Sequence, residues 1–382
     1  MYEWLASWLA VKQQSSACTT VPPRLQSSRV VVANATTAER LARAKGYPYP
    51  RPATSFIFCN GAAYTFDDSA WVTPSQWHGS LEHLLQLQVT APDGTRGSFG
   101  AVLAQQGVKQ SVLTAETPLT PILAIGSNAG PEQLARKFPL DMFPDGVVVP
   151  VIQCVLQDFD VVFAPLISSY GAATATLEHS PGTAVSVFMT YLTPPLQQRM
   201  HETEGAYNLC RMEGVQLREG LALPAHLEAA QPVAVHATAY NYNHQSGTLH
   251  LPFDNPGSSP VALTEIAAAG RTYPALTQVQ MQAALRAALT GVTAEQLPGT
   301  SGSSSQPLHK LNTLPSIQQE PPGGAEEPLS AEGLDDWILS NLDQPTLRRA
   351  RVSALVRAAQ PFQYRESEVL MVIGTALSTS VK

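Results

Sequence analysis

Short apolar segments, separated by glycine, proline and polar residues, fill the middle of the chain and predict a β-rich fold. The predicted strands there are residues 122–124, 147–156, 161–163, 185–191 and 233–240. Few helical segments lie between them, so the regular strand-helix-strand alternation of a parallel sheet is missing. We therefore predict an α+β domain over residues 121–290, with a small, mixed, strongly curved or barrel-like β-sheet and flanking helices.

Three helices are predicted beside this sheet. The first spans residues 131–137 and begins with a proline, which favours the first position of a helix. The second spans residues 193–204, where Thr193 is a suitable N-cap and Pro194 follows it. A glycine directly after residue 204 ends this helix. The third spans residues 278–289.

The chain on either side of this domain is divided by composition. Residues 1–53 predict a weakly ordered N-terminal segment, and residues 54–120 predict a β-rich extension that packs on the main domain. The predicted strands of the extension are residues 56–59, 85–90 and 101–105. Residues 291–332 are rich in Gly, Pro, Ser and Gln, and they predict a disordered linker because they carry too little apolar surface to offset their ordering entropy.

Residues 333–382 predict a helical C-terminal appendage. Apolar residues fall at helical spacing over residues 334–342, and a second helix is predicted over residues 347–359. The polar side of that second helix carries Arg348, Arg349, Arg351 and Arg357. We interpret these arginines as a solvated face, and the alternative is a surface for an acidic protein partner.

Charge and composition exclude several classes of function. The 382 residues carry a formal net charge of -7 and only 14% charged residues, so no basic surface for nucleic acid is predicted. The longest apolar run, residues 147–156, is too short to span a membrane. Four scattered cysteines give neither a zinc motif nor a disulfide framework, which favours a cytoplasmic protein. A Ser-, Thr- and Arg-rich stretch over residues 15–51 leaves a transit peptide as the alternative.

A glycine-rich turn connects the strand at residues 122–124 to the helix at residues 131–137. Gly126 and Gly130 are predicted to adopt positive φ angles, while Ser127 and Asn128 are expected to cap the following helix. Converging N–H groups in such a turn can hold a carboxylate or phosphate. The alternative is an ordinary connection without a ligand. The turn matches neither a nucleophile elbow nor a P-loop.

Glu204 is predicted to lie at the end of the helix over residues 193–204. The helix dipole disfavours the ionised form of a carboxylate at this end, which suits a group that takes and returns a proton. Glu202 is the competing candidate, and a solvent-exposed position for Glu204 is the alternative interpretation. His236, His244 and His250 lack regular ligand spacing, so we interpret them as surface residues and expect no metal and no cofactor.

Several motifs occur in an order that resembles the gamma-glutamylcyclotransferase family over residues 121–289. They are Ala124-Ile125-Gly126-Ser127-Asn128, Leu156-Gln157-Asp158-Phe159, Glu204-Gly205 with Tyr207, Ala239-Tyr240, Val261-Ala262-Leu263-Thr264-Glu265-Ile266 and Gly270-Arg271-Thr272-Tyr273-Pro274. The resemblance implies a gamma-glutamylcyclotransferase-like fold and a cofactor-independent lyase or acyltransferase of glutathione metabolism. Its substrate would be a gamma-glutamyl amide or peptide that releases 5-oxoproline and an amine.

The resemblance also implies the roles of individual residues. Glu204 would be the catalytic general acid and base, and the substrate would be bound by Ile125, Gly126, Ser127, Asn128, Tyr207 and Tyr240. The family has tyrosine before the glycine of the turn, whereas this chain has Ile125. That difference keeps a second hypothesis open, in which the protein is catalytically silent and binds a small amino-acid-like ligand or a protein partner.

Overall fold

The computed structural model describes residues 35–66, 85–114, 117–220, 234–251, 258–290 and 333–373. The chain divides into two compact units, residues 1–40 and 41–382. The linker predicted over residues 291–332 lies outside the described residues, as does most of the N-terminal segment predicted over residues 1–53. All residues of the site described below belong to the second unit.

Seven α-helices occur in the part of the chain that the structure describes. They are α1 (Thr37–Lys45), α2 (Phe99–Gln105), α3 (Pro131–Lys137), α4 (Pro194–Thr203), α5 (Gln278–Ala288), α6 (Leu334–Asp343) and α7 (Pro345–Ala358). The strands before α4 are β1 (Phe56–Cys59), β2 (Ala62–Phe66), β3 (Gln88–Thr90), β4 (Arg96–Ser98), β5 (Thr120–Ala124), β6 (Val148–Ile167) and β7 (Ala173–Leu192). Those after α4 are β8 (Tyr207–Glu219), β9 (Ala234–His244), β10 (His250–Leu251), β11 (Ser259–Pro260), β12 (Ala262–Leu263), β13 (Ala268–Ala269), β14 (Ala275–Leu276) and β15 (Ser367–Val372).

Five strands close into a β-barrel in the order β5, β7, β6, β8 and β9. Four of the five junctions are antiparallel, and the fifth is a parallel contact between β9 and β5 at Leu123 and Asn241. Strands β1 to β4 extend the sheet from the first half of β6. The predicted α+β class with a mixed, barrel-like sheet is therefore confirmed.

Residues 148–156 and 161–163 of the two segments predicted as separate strands belong to the single strand β6. The residues between them form an irregularity in the β6–β7 pairing, where Asp158 has a φ of 64°. The Asp158 carboxylate accepts a hydrogen bond from the Gly182 amide at 2.8 Å. The polar interruption thus marks a bulge that bends the strand, since an extra residue locally increases its twist.

The N-terminal extension follows the prediction in part. Strand β1 is found where it was predicted, but residues 101–105 are helical and the predicted strand there is wrong. Ser98 caps helix α2, because its hydroxyl accepts a hydrogen bond from the Ala101 amide at 3.3 Å. A short apolar run does not by itself distinguish a strand from a helix, and the serine cap favours the helix here.

The C-terminal appendage is not purely helical, because β15 pairs antiparallel with β8. Arg351 is also not on the polar side of its helix. It is buried, it donates to Ser340 Oγ at 2.8 Å and to Asn341 Oδ1 at 2.7 Å, and it lies over the Trp337 ring. Arg351 therefore joins α7 to α6.

The interpretation of three histidines as surface residues is wrong for His244, whereas His236 and His250 are partly exposed. His244 is buried, and burial lowers its pKa to about 4. His236 contacts the fully buried carboxylate of Glu219 at 2.9 Å through Nε2.

No described helix has the length and apolar character required to cross a membrane.

Candidate active site

A cavity of about 450 Å³ opens at one end of the barrel. Its walls come from the end of β5 and the turn after it, the facing ends of β6 and β7, the chain around the end of α4, and the end of β9. Residues of α3 and α7 complete the lining. The volume lies within the range of about 300–1,000 Å³ that small-molecule sites occupy.

The predicted glycine turn forms one wall of the cavity, but its geometry differs from the prediction. Gly126 has a φ of -131° and Gly130 a φ of -92°, so neither residue needs a left-handed conformation. Residues Ser127–Ala129 form a 3-10 turn, and α3 begins after Gly130 without a side-chain cap. The amides of Ala129 and Gly130 bond within the turn, which leaves those of Ser127 and Asn128 unused within it.

Gly126 is required by close packing rather than by its backbone angles. A Cβ atom at this position would overlap Tyr47 Oη and would lie 3.3 Å from Tyr47 Cζ. The Tyr47 hydroxyl is buried and accepts a hydrogen bond from the Ala175 amide at 3.1 Å. Burial also raises the pKa of Tyr47, so the hydroxyl keeps its proton and can donate a hydrogen bond to a ligand in the cavity.

Replacing Gly126 with alanine is expected to destabilise the fold by about 1–3 kcal/mol, because the new methyl group overlaps Tyr47 Oη. The measurement is the free energy of unfolding in denaturant. The matched control is Gly205→Ala, since Gly205 also lines the cavity but has open space around it. Combining Gly126→Ala with Tyr47→Phe should cost less than the sum of the two single variants; simple additivity would contradict the overlap.

Glu204 lies in the cavity lining and is only 8% exposed. It is the C-cap residue of α4, and the Glu204 carboxylate forms an ion pair with the buried Lys137 ammonium at the end of α3. Asn128 Nδ2 donates to the same oxygen, Oε1, at 2.8 Å. Lys137 Nζ also lies 3.2 Å from Met200 Sδ. The second oxygen of Glu204, Oε2, has no hydrogen bond to the described residues and is available to a ligand.

Glu202, the competing carboxylate, has a different environment. It is exposed, it pairs with Arg199 at 3.2 Å and it accepts a hydrogen bond from Gln198 at 3.3 Å. Glu202 lies outside the lining of the cavity. Of the two candidate carboxylates, the geometry thus favours Glu204 over Glu202.

Of the remaining predicted residues, Ile125 and Ser127 line the cavity, as does Tyr207. The Tyr207 hydroxyl is already engaged, because it lies 2.8 Å from Thr174 Oγ1 and 3.0 Å from the Ala175 carbonyl. Tyr240 is not part of the described lining and packs, partly buried, against an apolar cluster. The structure therefore brings together every predicted residue except Tyr240.

The two residues that follow Tyr240, Asn241 and Tyr242, line the cavity in its place. Tyr242 lines the cavity, and its hydroxyl lies 2.8 Å from His201 Nδ1. Asn241 also borders the cavity and is fully buried, yet neither its amide nitrogen nor its amide oxygen has a partner among the described residues. A buried amide without a partner is costly, so Asn241 is a candidate for contact with a bound molecule or water.

Four other residues of the site were not predicted. Lys137 was expected only as a helix end, Tyr47 was part of the segment predicted to be weakly ordered, and Arg348 and Arg349 were expected on a solvated helix face or on a surface for an acidic protein partner. A lysine in the last turn of a helix is favoured by the helix dipole alone, so its position does not distinguish a site residue. The contact between Tyr47 and Ala175 has no local signature, because 128 residues separate them.

Among the described lining residues, the charged side chains are one carboxylate, Glu204, and three cations, Lys137, Arg348 and Arg349. After Lys137 and Glu204 neutralise each other, the lining retains positive charge. Within the described ranges, no group of three His, Cys, Asp or Glu side chains is placed to hold a metal ion. The net positive charge of the lining favours an anionic organic ligand, and the buried carboxylate of Glu204 lies beside the space that this ligand would occupy.

The fold and the site together define an α+β protein with a closed five-stranded barrel and, at one end of it, a cavity lined by apolar, polar and charged side chains. Comparison of the chain with protein-family models, with curated proteins and with solved structures gave no match.

Proposed function

We propose that this protein is a cyclotransferase-type lyase that acts on a gamma-glutamyl amide or peptide and releases 5-oxoproline and an amine. The barrel would then be a gamma-glutamylcyclotransferase-like fold. The observation that carries the proposal is the placement of Glu204, which is buried in the cavity and bonded through one oxygen to Asn128 of the glycine turn. The turn and the carboxylate that the sequence predicted for one reaction thus share one wall of one cavity.

The proposed reaction needs an acid and base but no cofactor. In it, Glu204 Oε2 accepts a proton from the substrate α-ammonium, and the free amine attacks the γ-carbonyl carbon. A new C–N bond closes the five-membered lactam, and the original amide C–N bond breaks. Of the two protons that the α-nitrogen loses, one is returned by Glu204 to the departing nitrogen and the other goes to solvent.

The turn would bind the amino-acid end of the substrate. The unused amides of Ser127 and Asn128 are donors for the substrate α-carboxylate, and the Tyr47 hydroxyl is a further donor beside Gly126. Holding this carboxylate brings the α-amine close to the γ-carbonyl, which reduces the entropic part of the barrier. Ile125 adds an apolar surface next to the turn.

One observation favours the second hypothesis, a binding protein without turnover. The Lys137 ammonium already holds one oxygen of the Glu204 carboxylate in a buried ion pair, so this carboxylate has a structural partner in the absence of any substrate. Under that hypothesis the cavity would hold a gamma-glutamyl or amino-acid-like ligand unchanged.

The test is mass spectrometry of purified full-length protein incubated with gamma-glutamyl dipeptides, glutathione and gamma-glutamyl amines. We expect 5-oxoproline and the matching free amine in equal amounts from at least one substrate. Release of neither product from any substrate, with folded protein, would overturn the lyase. Calorimetric binding of the same compounds without release would support the binding protein instead.

A further inference from the structure

Two arginines of the C-terminal helix α7 line the cavity. Arg348 is half-buried and Arg349 is exposed, and Val352, one turn further along α7, lies beside them in the lining. Helix α7 is held in place by its packing against β6 and against α6. The C-terminal segment therefore brings two positive charges to a cavity whose other charged groups come from the barrel domain.

These two arginines have polar partners but no acidic partner among the described residues. No carboxylate of the described ranges forms an ion pair with either guanidinium. Arg348 donates from Nη1 to the Asn341 carbonyl at 2.7 Å, and Arg349 donates from Nη2 to Thr346 Oγ1 at 3.3 Å. Each guanidinium has five N–H donors, so most of them remain available.

The two guanidinium groups also repel each other. Burial and the nearby charge of Arg349 both lower the pKa of Arg348. Two like charges at the edge of a cavity are stabilised when an anion lies between them. Arg351, on the same helix, differs from both because it is bound to Ser340 and Asn341 and lies over the Trp337 ring.

We propose that Arg348 and Arg349 form a second anion-binding subsite that selects substrates whose leaving amine carries a carboxylate. This inference rests on the proposed function, because the proposed reaction fixes how the substrate is oriented in the cavity. The glycine turn and Glu204 hold the glutamyl end and the reacting bond, so the leaving group extends toward the remaining charged part of the lining. The proposal assigns substrate selection to the C-terminal segment.

The test compares two substrates that differ only in this charge, gamma-L-glutamyl-L-alanine and gamma-L-glutamyl-L-alaninamide. For wild-type full-length protein, we expect kcat/KM to be about tenfold to a hundredfold higher for the carboxylate substrate, the size of effect that charge-assisted hydrogen bonds produce. The double variant Arg348→Gln/Arg349→Gln should bring the ratio of the two kcat/KM values close to one, mainly through a higher KM for the carboxylate substrate. Arg357→Gln, an exposed arginine of α7 outside the cavity lining, is the control and should keep the wild-type ratio.

Calorimetric binding of both compounds to the Glu204→Gln variant, with and without the two arginine changes, separates this inference from the proposed function. Carboxylate-dependent binding that the arginine changes remove would support the subsite even if wild-type protein releases no product. Turnover with a ratio that the arginine changes leave unaltered would overturn the subsite and keep the lyase. An equal loss for both compounds would place the arginines at the glutamyl end, which also overturns the subsite.

Discussion

Replacing Glu204 with glutamine is expected to lower 5-oxoproline release by about a hundredfold to ten-thousandfold, the range that a positioned acid and base contributes. Glutamine has nearly the same shape and can still accept hydrogen bonds from Asn128 and Lys137, but it cannot take up the proton of the α-ammonium. The loss should therefore appear in kcat more than in KM. The measurement is 5-oxoproline release by mass spectrometry on the best substrate of the panel.

Glu202→Gln is the matched control for this experiment, because Glu202 is two residues away, exposed and paired with Arg199 outside the cavity. We expect Glu202→Gln to retain wild-type release. Circular dichroism must show that both variants are folded at the assay temperature. Unchanged release by folded Glu204→Gln protein would show that another group carries the proton and would remove the basis of the proposed mechanism.

Replacing Lys137 with methionine is expected to lower the free energy of unfolding by about 3–5 kcal/mol, since it leaves the Glu204 carboxylate buried without its partner. Methionine fills a similar volume and can pack against Met200, so a cavity contributes little to this loss. The double variant Lys137→Met/Glu204→Gln removes both charges and should be more stable than Lys137→Met. Denaturant unfolding of wild type, both single variants and the double variant measures the coupling energy.

Lys109→Met is the control for the charge itself, because Lys109 forms an exposed ion pair with Asp145. Surface pairs contribute about 0–1 kcal/mol, so this variant should remain close to wild type. If Lys137→Met were as stable as Lys109→Met, the ion pair with Glu204 would not be a feature of the folded protein. The orientation of the Glu204 carboxylate would then need another cause.

Much of the barrel could be predicted because its strands are apolar and bounded by turn residues. Helix α3 occupies the predicted residues, and α4 differs from the prediction only at its two cap positions. Strand β8 was not predicted, since Arg, Glu and Gln alternate with its apolar residues and the pattern appears polar. Its buried side chains alternate with a period of two, which is the signal that could have identified it.

The candidate site could be predicted only where its residues follow local rules. Glu204 and the turn lie at the ends of elements that the sequence marks by proline, threonine and glycine. The prediction of positive φ angles for Gly126 and Gly130 was wrong. Position 126 has no room for a side chain because Tyr47, a residue from a distant part of the chain, packs against it. Local rules carry no information about such a contact.

The sequence by itself determined the class of fold, the two helices that flank the site and the presence of a turn and a carboxylate that lie in one cavity. Hydrophobic period, caps and turn residues act over a few positions, so one chain is enough to predict them. Only the tertiary structure decided that Lys137 pairs with Glu204 across 67 residues, that Tyr47 packs on the turn, and that two arginines of α7 reach the cavity. These contacts depend on how the barrel closes, and a charged or aromatic side chain has the same local pattern on a surface as in a site.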